Sequence, residues 1–221
     1  MAFYTTQQLF NLEHSLAQPL LAQYQYPWQA LEKISNFIIQ LGEILPKQDY
    51  EQIEEHIWVA KTAIVAPTAV LTAPCIIQPY AEVRHCAFIR GSVLVGKGAV
   101  VGNSTELKNC ILFDEAQVPH FNYVGDSILG YRAHMGAGAV TSNLKSDKSI
   151  VQIRSGEESI NTKLKKMGAM VGDESEVGCN SVLCPGTILG KKSQIYPTSC
   201  VRGVVPENHI FKAADKIVQR Q

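Results

Sequence analysis

The sequence predicts an all-β fold, a parallel β-helix of about six coils, and three observations carry that prediction. An apolar residue returns at every sixth position through Val59, Val65, Leu71, Ile77, Val83, Ile89, Val95, Val101 and Leu107. Neither a helix nor an ordinary strand has that period, whereas a solenoid that turns a corner every six residues does. Two positions before each of these sits a small or slim residue, Ala63, Ala69, Cys75, Ala81, Ala87, Val93, Ala99 and Thr105, so each side has one wide and one narrow interior slot. The same pattern resumes at Val171, Val177, Leu183, Leu189, Ile195 and Val201, preceded by Ala169, Ser175, Ser181, Thr187, Ser193 and Ser199. Three sides of six residues close one triangular coil, and successive coils stack at the strand spacing of about 4.8 Å.

Residues 1–55 lack the six-residue period. Trp28, Leu31, Ile34, Ile38, Leu41 and Leu45 recur instead at three or four, ending at Pro46, which predicts an amphipathic helix. The expected role of this segment is a cap on the first coil, because an open solenoid end is an unpaired sheet edge; a docking helix for another protein is the alternative. Residues 56–206 form the solenoid. Between its two regular runs the period stumbles near Pro119, and the five-residue step from Val124 to Leu129 marks a slip in register. Residues 144–168 leave the prism as an excursion with six basic and three acidic residues, readable as a lid near an anionic ligand or as a decorative or subunit-contacting loop. Residues 207–221 are expected to form a short helix or tail.

The chain has 221 residues, 46% hydrophobic, with 20 basic and 20 acidic side chains. A balanced charge argues against broad nucleic-acid or anionic-membrane binding, leaving small molecules or copies of the chain as partners. There is no long apolar run and no basic, apolar start of a secretory signal, so the expected location is cytoplasmic. Cys75, Cys86, Cys110, Cys179, Cys184 and Cys200 form no C-x-x-C pair and read as reduced packing residues.

Chemistry concentrates in the irregular stretch. Arg90 and Lys108 stand one coil apart, each directly after an inward residue, so both should point outward from adjacent rungs. An anion bridging them would turn their repulsion into charge-assisted hydrogen bonds; the alternative is that both splay into water. The run from Pro119 to Asp126 brings His120 and Tyr123 together beside the slip, and His120 could serve as a general base or only as a structural side chain. Gly136-Ala137-Gly138 offers bare backbone to a ligand or tight corners to the solenoid. The six histidines show no close ligand pair for zinc, so no metal is expected. Neither a phosphate-cradling G-x-x-x-x-G-K-[ST] loop nor a dinucleotide G-x-G-x-x-G motif follows a strand.

The segments Ala87-Phe88-Ile89-Arg90, Gly102-Asn103 to Lys108, His120 to Asp126, and Gly136-Ala137-Gly138 through Asn143 resemble the acetyltransferase half of bacterial bifunctional N-acetylglucosamine-1-phosphate uridyltransferase, over roughly residues 60–210. TSNLKSDK also resembles archaeal sugar-1-phosphate nucleotidylyltransferases that carry a related acetyltransferase domain. The resemblance to these hexapeptide-repeat acyltransferases implies a left-handed winding, a homotrimer with sites between subunits, and acetyl transfer from acetyl-CoA to the amine of glucosamine 1-phosphate. It further implies His120 as base, Arg90 and Lys108 on the sugar phosphate, Tyr123 and Asn143 on the sugar, and Asn143 or backbone amides on the oxyanion. A donor groove by Gly136, Ala137, Cys179 and Tyr196 follows by the same resemblance. A nucleophilic Cys179 or Cys110 is the rival mechanism. The family's nucleotidylyltransferase domain has no counterpart in the sequence, so no uridyltransferase activity is expected, and a separate nucleotidylyltransferase or a purely sugar-phosphate-binding role enters as an alternative. Here Asn143-Leu144-Lys145-Ser146 replaces the family's Asn-Tyr-Asp-Gly.

Overall fold

A computed structural model describes residues 3–214 and 216–220. Residues 1, 2, 215 and 221, which belong to the expected cap and tail, lie outside the described residues. The chain winds a three-sided prism of parallel strands. The first side stacks Ile57–Ala60, Cys75–Ile77, Val93–Val95, the C-terminal halves of Glu106–Leu112 and Tyr123–Leu129, Ala169–Val171, Thr187–Leu189 and Val204–Val205. The second runs from Ile64–Val65 through Glu82–Val83, Val100–Asn103, Gln117–His120, His134–Met135, Glu176–Val177 and Gln194–Ile195 to His209–Ala213. The third stacks Val70–Leu71, Phe88–Ile89, the N-terminal halves of Glu106–Leu112 and Tyr123–Leu129, Val140–Thr141, Val182–Leu183 and Cys200–Val201.

Six-residue positions from Ile77 to Leu107 are fully buried in the interior, while Val59, Val65 and Leu71 at the open first coil are partly buried. Small slots keep the corners tight. In the later coils they hold hydroxyls that donate to corner carbonyls: Ser175 to Gly190 at 2.9 Å, Ser181 to Tyr196 at 3.0 Å and Thr187 to Cys184 at 2.7 Å. Each buried hydroxyl is thereby satisfied.

Two of the three sides carry eight stacked strands among the described residues, so the solenoid is longer than the expected six coils. The difference lies in the irregular stretch. Leu107 pairs with Val124, and Val124 with Thr141, at 17-residue spacing, whereas Ile89 pairs with Leu107 at 18. One corner residue is missing from each of these two coils, yet the stack continues. The shortened corners turn on Asn109 and Asp126, both left-handed with φ of 48° and 47°, a conformation that short polar Asn and Asp side chains tolerate.

The N-terminal segment is helical, with Pro27–Lys33 in 3-10 geometry and Ile34–Glu43 as an α-helix, followed by a strand at Tyr50–Glu54 antiparallel to Ile57–Ala60. It does not merely cap the open end. The outward residues of the first side, Trp58, Ile76, Leu94, Ile111, Ile128, Met170 and Ile188, form an apolar column in strict register. All are buried in one cluster with Leu9, Phe10, Leu21, Trp28, Leu31, Ile34 and Ile38. Burial of each such side chain is worth about 1.5–3 kcal/mol, so the segment lies along a flat side because that side is apolar both inward and outward. Asp173 ties it down: its buried carboxylate accepts from the Asn11 and Tyr131 N–H groups at 2.7 and 2.9 Å and pairs with Lys191 at 3.1 Å.

Residues 144–168 leave the prism as expected and return as an antiparallel hairpin, Gln152–Ser155 with Glu158–Asn161. Val151, Ile153, Leu164 and Met167 join the same apolar cluster, extending the cover toward the last coils. At the C terminus, His209–Ala213 and Lys216–Gln219 form an antiparallel hairpin continuing the second side, in place of the expected helix or tail. Ile210 and Phe211 follow the solenoid's own register, pairing with Gln194 and Ile195, and this extends the sheet by one more rung.

Candidate active site

The irregular coils place two polar edges on either side of the third face. On one edge, the pairing of Phe88 with Glu106 and Ile89 with Leu107 sets Arg90 level with Lys108, which in turn registers with Gly125. No shared anion is needed to hold the cations there. Arg90 Nη1 pairs with Glu106 Oε1 at 2.6 Å, and Lys108 Nζ lies 3.2 and 3.3 Å from the two carboxylate oxygens of Asp126. Glu106 holds the Arg90 guanidinium above its ordinary range.

Asp126 is the hub of this edge. It is 4% exposed, and besides Lys108 it accepts from Asn109 Nδ2 at 2.8 Å and Asn143 Nδ2 at 2.5 Å. The one-residue shortening of the corner turns its side chain toward the preceding rung. Asn143 Nδ2 also donates to the Tyr123 hydroxyl at 3.2 Å. Partial burial, with the Asp126 charge, pushes the Tyr123 phenol above its ordinary range, so it stays neutral and free to donate. Gly125 makes room for this contact: a Cβ there would collide with the Tyr123 hydroxyl and stand 2.8 Å from Asn143 Nδ2.

His120 occupies the opposite edge, in register with Asn103. Its imidazole is exposed and, among the described residues, has no hydrogen-bond partner. The backbone beneath it is pinned. Buried Asn122 accepts from the His120 N–H at 3.1 Å and donates to the Gly136 and Ala139 carbonyls at 2.8 and 3.0 Å. Gly138 N–H donates to the His120 carbonyl, Asn180 to that of Ala137 and Thr198 to that of Cys179, so His120, Ala137 and Cys179 climb one edge rung by rung. Gly136 packs directly under Cys179, and Tyr196 follows on the next coil, half exposed beneath Lys212.

The sequence-derived residues thus divide by edge: Arg90, Lys108 and Asn143 on one, His120, Gly136, Ala137, Cys179 and Tyr196 on the other, with Tyr123 on the face between. One role changes. Both protons of the Asn143 amide are taken by Asp126 and Tyr123, so this side chain has no donor left for an oxyanion, and its part is to hold Tyr123. Cys110 is sealed in the interior, where burial pushes its thiol upward; Cys179 is exposed, with no histidine bonded to it among the described residues. Asp126, Asn109 and Asn122 were not singled out from the sequence. Asn122 had a readable signal, since it stands two before Val124, in a slot that is otherwise small.

Farther along the Arg90–Lys108 edge, a cleft of about 410 Å³ opens between the hairpin of residues 152–161 and the last coils, lined by Lys145, Gln152, Arg154, Pro185 and Arg202. No carboxylate lines it. A larger cleft of about 630 Å³ lies among Arg132, Glu174, Glu176 and Lys192 and contains none of the candidate residues; its charges are mixed, Lys192 pairing with Glu174 at 3.8 Å. Among the described residues no group of three or more His, Cys, Asp or Glu comes together as a metal site, and no helix is long and apolar enough to cross a membrane.

Fold and edges together define a parallel β-helix with a polar, cation-bearing site on one flat side. Comparison with known proteins agrees with the resemblance read from the sequence. A family model described as the GMPPB C-terminal domain matches residues 71–155. The bifunctional protein GlmU of Methanococcus maripaludis is 27% identical over 202 residues, covering 89% of this chain and 48% of that protein. A bifunctional sugar-1-phosphate nucleotidylyltransferase/acetyltransferase of Sulfurisphaera tokodaii is 31% identical over 121 residues, 55% of this chain and 30% of that one. The chain therefore spans about half, or less, of the length of these relatives. Among solved structures, perosamine N-acetyltransferase from Caulobacter crescentus in complex with CoA and GDP-perosamine is 15% identical, covering 75% of this chain and 56% of that one at a TM-score of 0.34, a loose superposition.

Proposed function

We propose that this chain is an acyl-CoA-dependent N-acyltransferase that moves an acetyl group from acetyl-CoA to the amine of an amino-sugar phosphate such as glucosamine 1-phosphate. One observation carries the reading: an exposed, unpartnered His120 faces the Arg90–Lys108 edge across a single side of the prism, with Tyr123 between them. Side chains on opposite edges reach toward each other over about 15 Å of backbone, which leaves room for one sugar ring. The phosphate draws Arg90 and Lys108 from their carboxylates, Tyr123 donates to the ring, and the amine lies toward His120. Imidazole Nε2 or Nδ1 takes the amine proton as nitrogen attacks the thioester carbonyl, backbone N–H groups of the Gly136–Gly138 corner bind the oxyanion, and the thiolate leaves. The cleft with Lys145, Arg154 and Arg202 suits the phosphates of such a donor. The register sets Arg202 four rungs beyond Lys108, about 19 Å, so a long phosphate-bearing molecule would span the gap.

The same reading includes a homotrimer, a cytoplasmic location and a separate nucleotidylyltransferase as a working partner. Thiol release from acetyl-CoA, followed over a panel of amino sugars and their phosphates, tests it. His120→Ala should lower kcat by about 10²–10⁴ with sugar binding retained, and Lys108→Met should act chiefly on KM. Full activity in His120→Ala, or no turnover with any sugar, overturns the proposal. A non-catalytic sugar-phosphate or nucleotide-sugar binding module is the second reading, favoured by one observation: Arg90 and Lys108 are already neutralised by Glu106 and Asp126. Ligand binding without thiol release would establish it instead.

A further inference from the structure

The prism brings together two thiols that lie far apart along the chain. Cys200 registers with Val182, and the N–H of Cys184 donates to the Val201 carbonyl at 2.9 Å, so the two cysteines meet diagonally across adjacent rungs with their sulfurs 3.5 Å apart. A disulfide is about 2.05 Å long, and small side-chain rotations close the difference. Their surroundings are unequal. Cys184 is 6% exposed, while Cys200 is open to solvent. Of the other cysteines, Cys75 and Cys110 are sealed inside the prism, and Cys86 and Cys179 are exposed with no second thiol against them among the described residues.

We propose that Cys184 and Cys200 are a redox modification site, a dithiol that a low-molecular-weight disulfide converts into a bond across two rungs. The exposed Cys200 thiolate attacks one sulfur of the reagent, forming a mixed disulfide and releasing one small thiol. Cys184 Sγ then attacks Cys200 Sγ, the second small thiol leaves, and the two cysteine protons end on the two released thiols. Two protein thiols are oxidised and one small disulfide is reduced. Burial, with the neighbouring Cys200, pushes the Cys184 thiol up to about 11, while Arg202 pulls it down. The Cys200 contribution disappears once that residue is in the mixed disulfide, so the second step becomes easier after the first. Pro185 and Arg202, the neighbours of the pair, both line the cleft beside the hairpin, so the bond forms at the rim of that cleft.

The test needs no activity. The full chain is incubated with oxidised glutathione, denatured, and mapped by mass spectrometry alongside thiol titration. The expected result is that peptides containing Cys184 and Cys200 are joined and two hydrogens lighter, with glutathione on Cys86 and Cys179. In Cys184→Ser, Cys200 should retain glutathione. Phenylarsine oxide, which bridges close thiol pairs, should bind the reduced parent and be lost from both single serine variants. Stable glutathione on Cys200 of the parent, or Cys184 and Cys200 left unmodified while Cys86 and Cys179 react, overturns the proposal.

Discussion

Replacing Asp126 probes the site and the fold at the same point. Its carboxylate is 4% exposed and takes four contacts: two from the Lys108 ammonium at 3.2 and 3.3 Å, and one each from Asn109 and Asn143 at 2.8 and 2.5 Å. A hydrogen bond to a charged group is worth about 1.5–3 kcal/mol net, and breaking a buried ion pair costs about 3–5 kcal/mol. The Lys108 side chain is 30% exposed, so its ammonium recovers part of its hydration. Asp126→Ala should therefore fall at the lower end of the pair range, about 3 kcal/mol. At about 2–4 °C per kcal/mol for a chain of this size, the melting temperature should drop by about 6–12 °C. Asp126→Asn keeps one acceptor oxygen and should lose about half as much. Urea unfolding followed by circular dichroism, with an unchanged m-value, reads the difference, and a double-mutant cycle with Lys108→Met should give a coupling of about 1 kcal/mol or more. A loss under about 2 °C in Asp126→Ala, or a coupling near zero, would refute Asp126 as the hub.

Three further outcomes follow from the geometry. Gly125→Ala puts a methyl against the Tyr123 hydroxyl and 2.8 Å from Asn143 Nδ2; under the proposed acyl transfer, KM for the sugar should rise about tenfold, equivalent to about 1.4 kcal/mol, and an unchanged KM would count against Tyr123 as a sugar contact. Leu94→Ala, outward on the first side but fully buried under the N-terminal segment, should cost about 2–5 kcal/mol in urea unfolding, against less than about 0.5 kcal/mol for Val70→Ala, which is 55% exposed on the third side; equal losses would show that the segment does not cover that side. Burial is the leading cause that raises the Asp114 carboxyl above its ordinary range, so the ionised form is penalised in the fold and the parent loses stability as pH rises through that range. Asp114→Asn can keep the bond from the Lys97 N–H, and its stability advantage should be present at pH 7 and vanish below the ordinary carboxylate range, near pH 3; an advantage that is larger in acid would reverse the sign.

The six-residue period made the prism legible because a coil repeats one steric rule at every side: a wide slot, a narrow slot, a corner. Ile77, Ile89 and Leu107 obey it and are buried as it requires. The coils between Leu112 and Thr141 obey it less visibly, since a single residue lost at a corner shifts the phase while the hydrogen-bonded stack continues, and so the solenoid came out longer than its regular runs. Another pattern stood in the open. Cys-Ile-Ile, Val-Leu-Val, Cys-Ile-Leu and Thr-Ile-Leu are apolar at the outward position as well as at the inward ones, which means a side covered on both faces. That column, rather than the open first coil, explains where the N-terminal segment lies.

Sequence alone determined the repeat, the interior columns and the stacking of Arg90 over Lys108, because a solenoid converts a fixed step along the chain into a neighbour in space. Tertiary structure decided what no fixed step encodes. Asp126 reaches Lys108 and Asn143 because a corner is one residue short, the helical segment chooses a side by matching apolar surfaces, and Cys184 meets Cys200 across a 16-residue interval that belongs to no repeat. Each depends on how a turn is closed or a surface covered, and those contacts exist only once the coils are stacked.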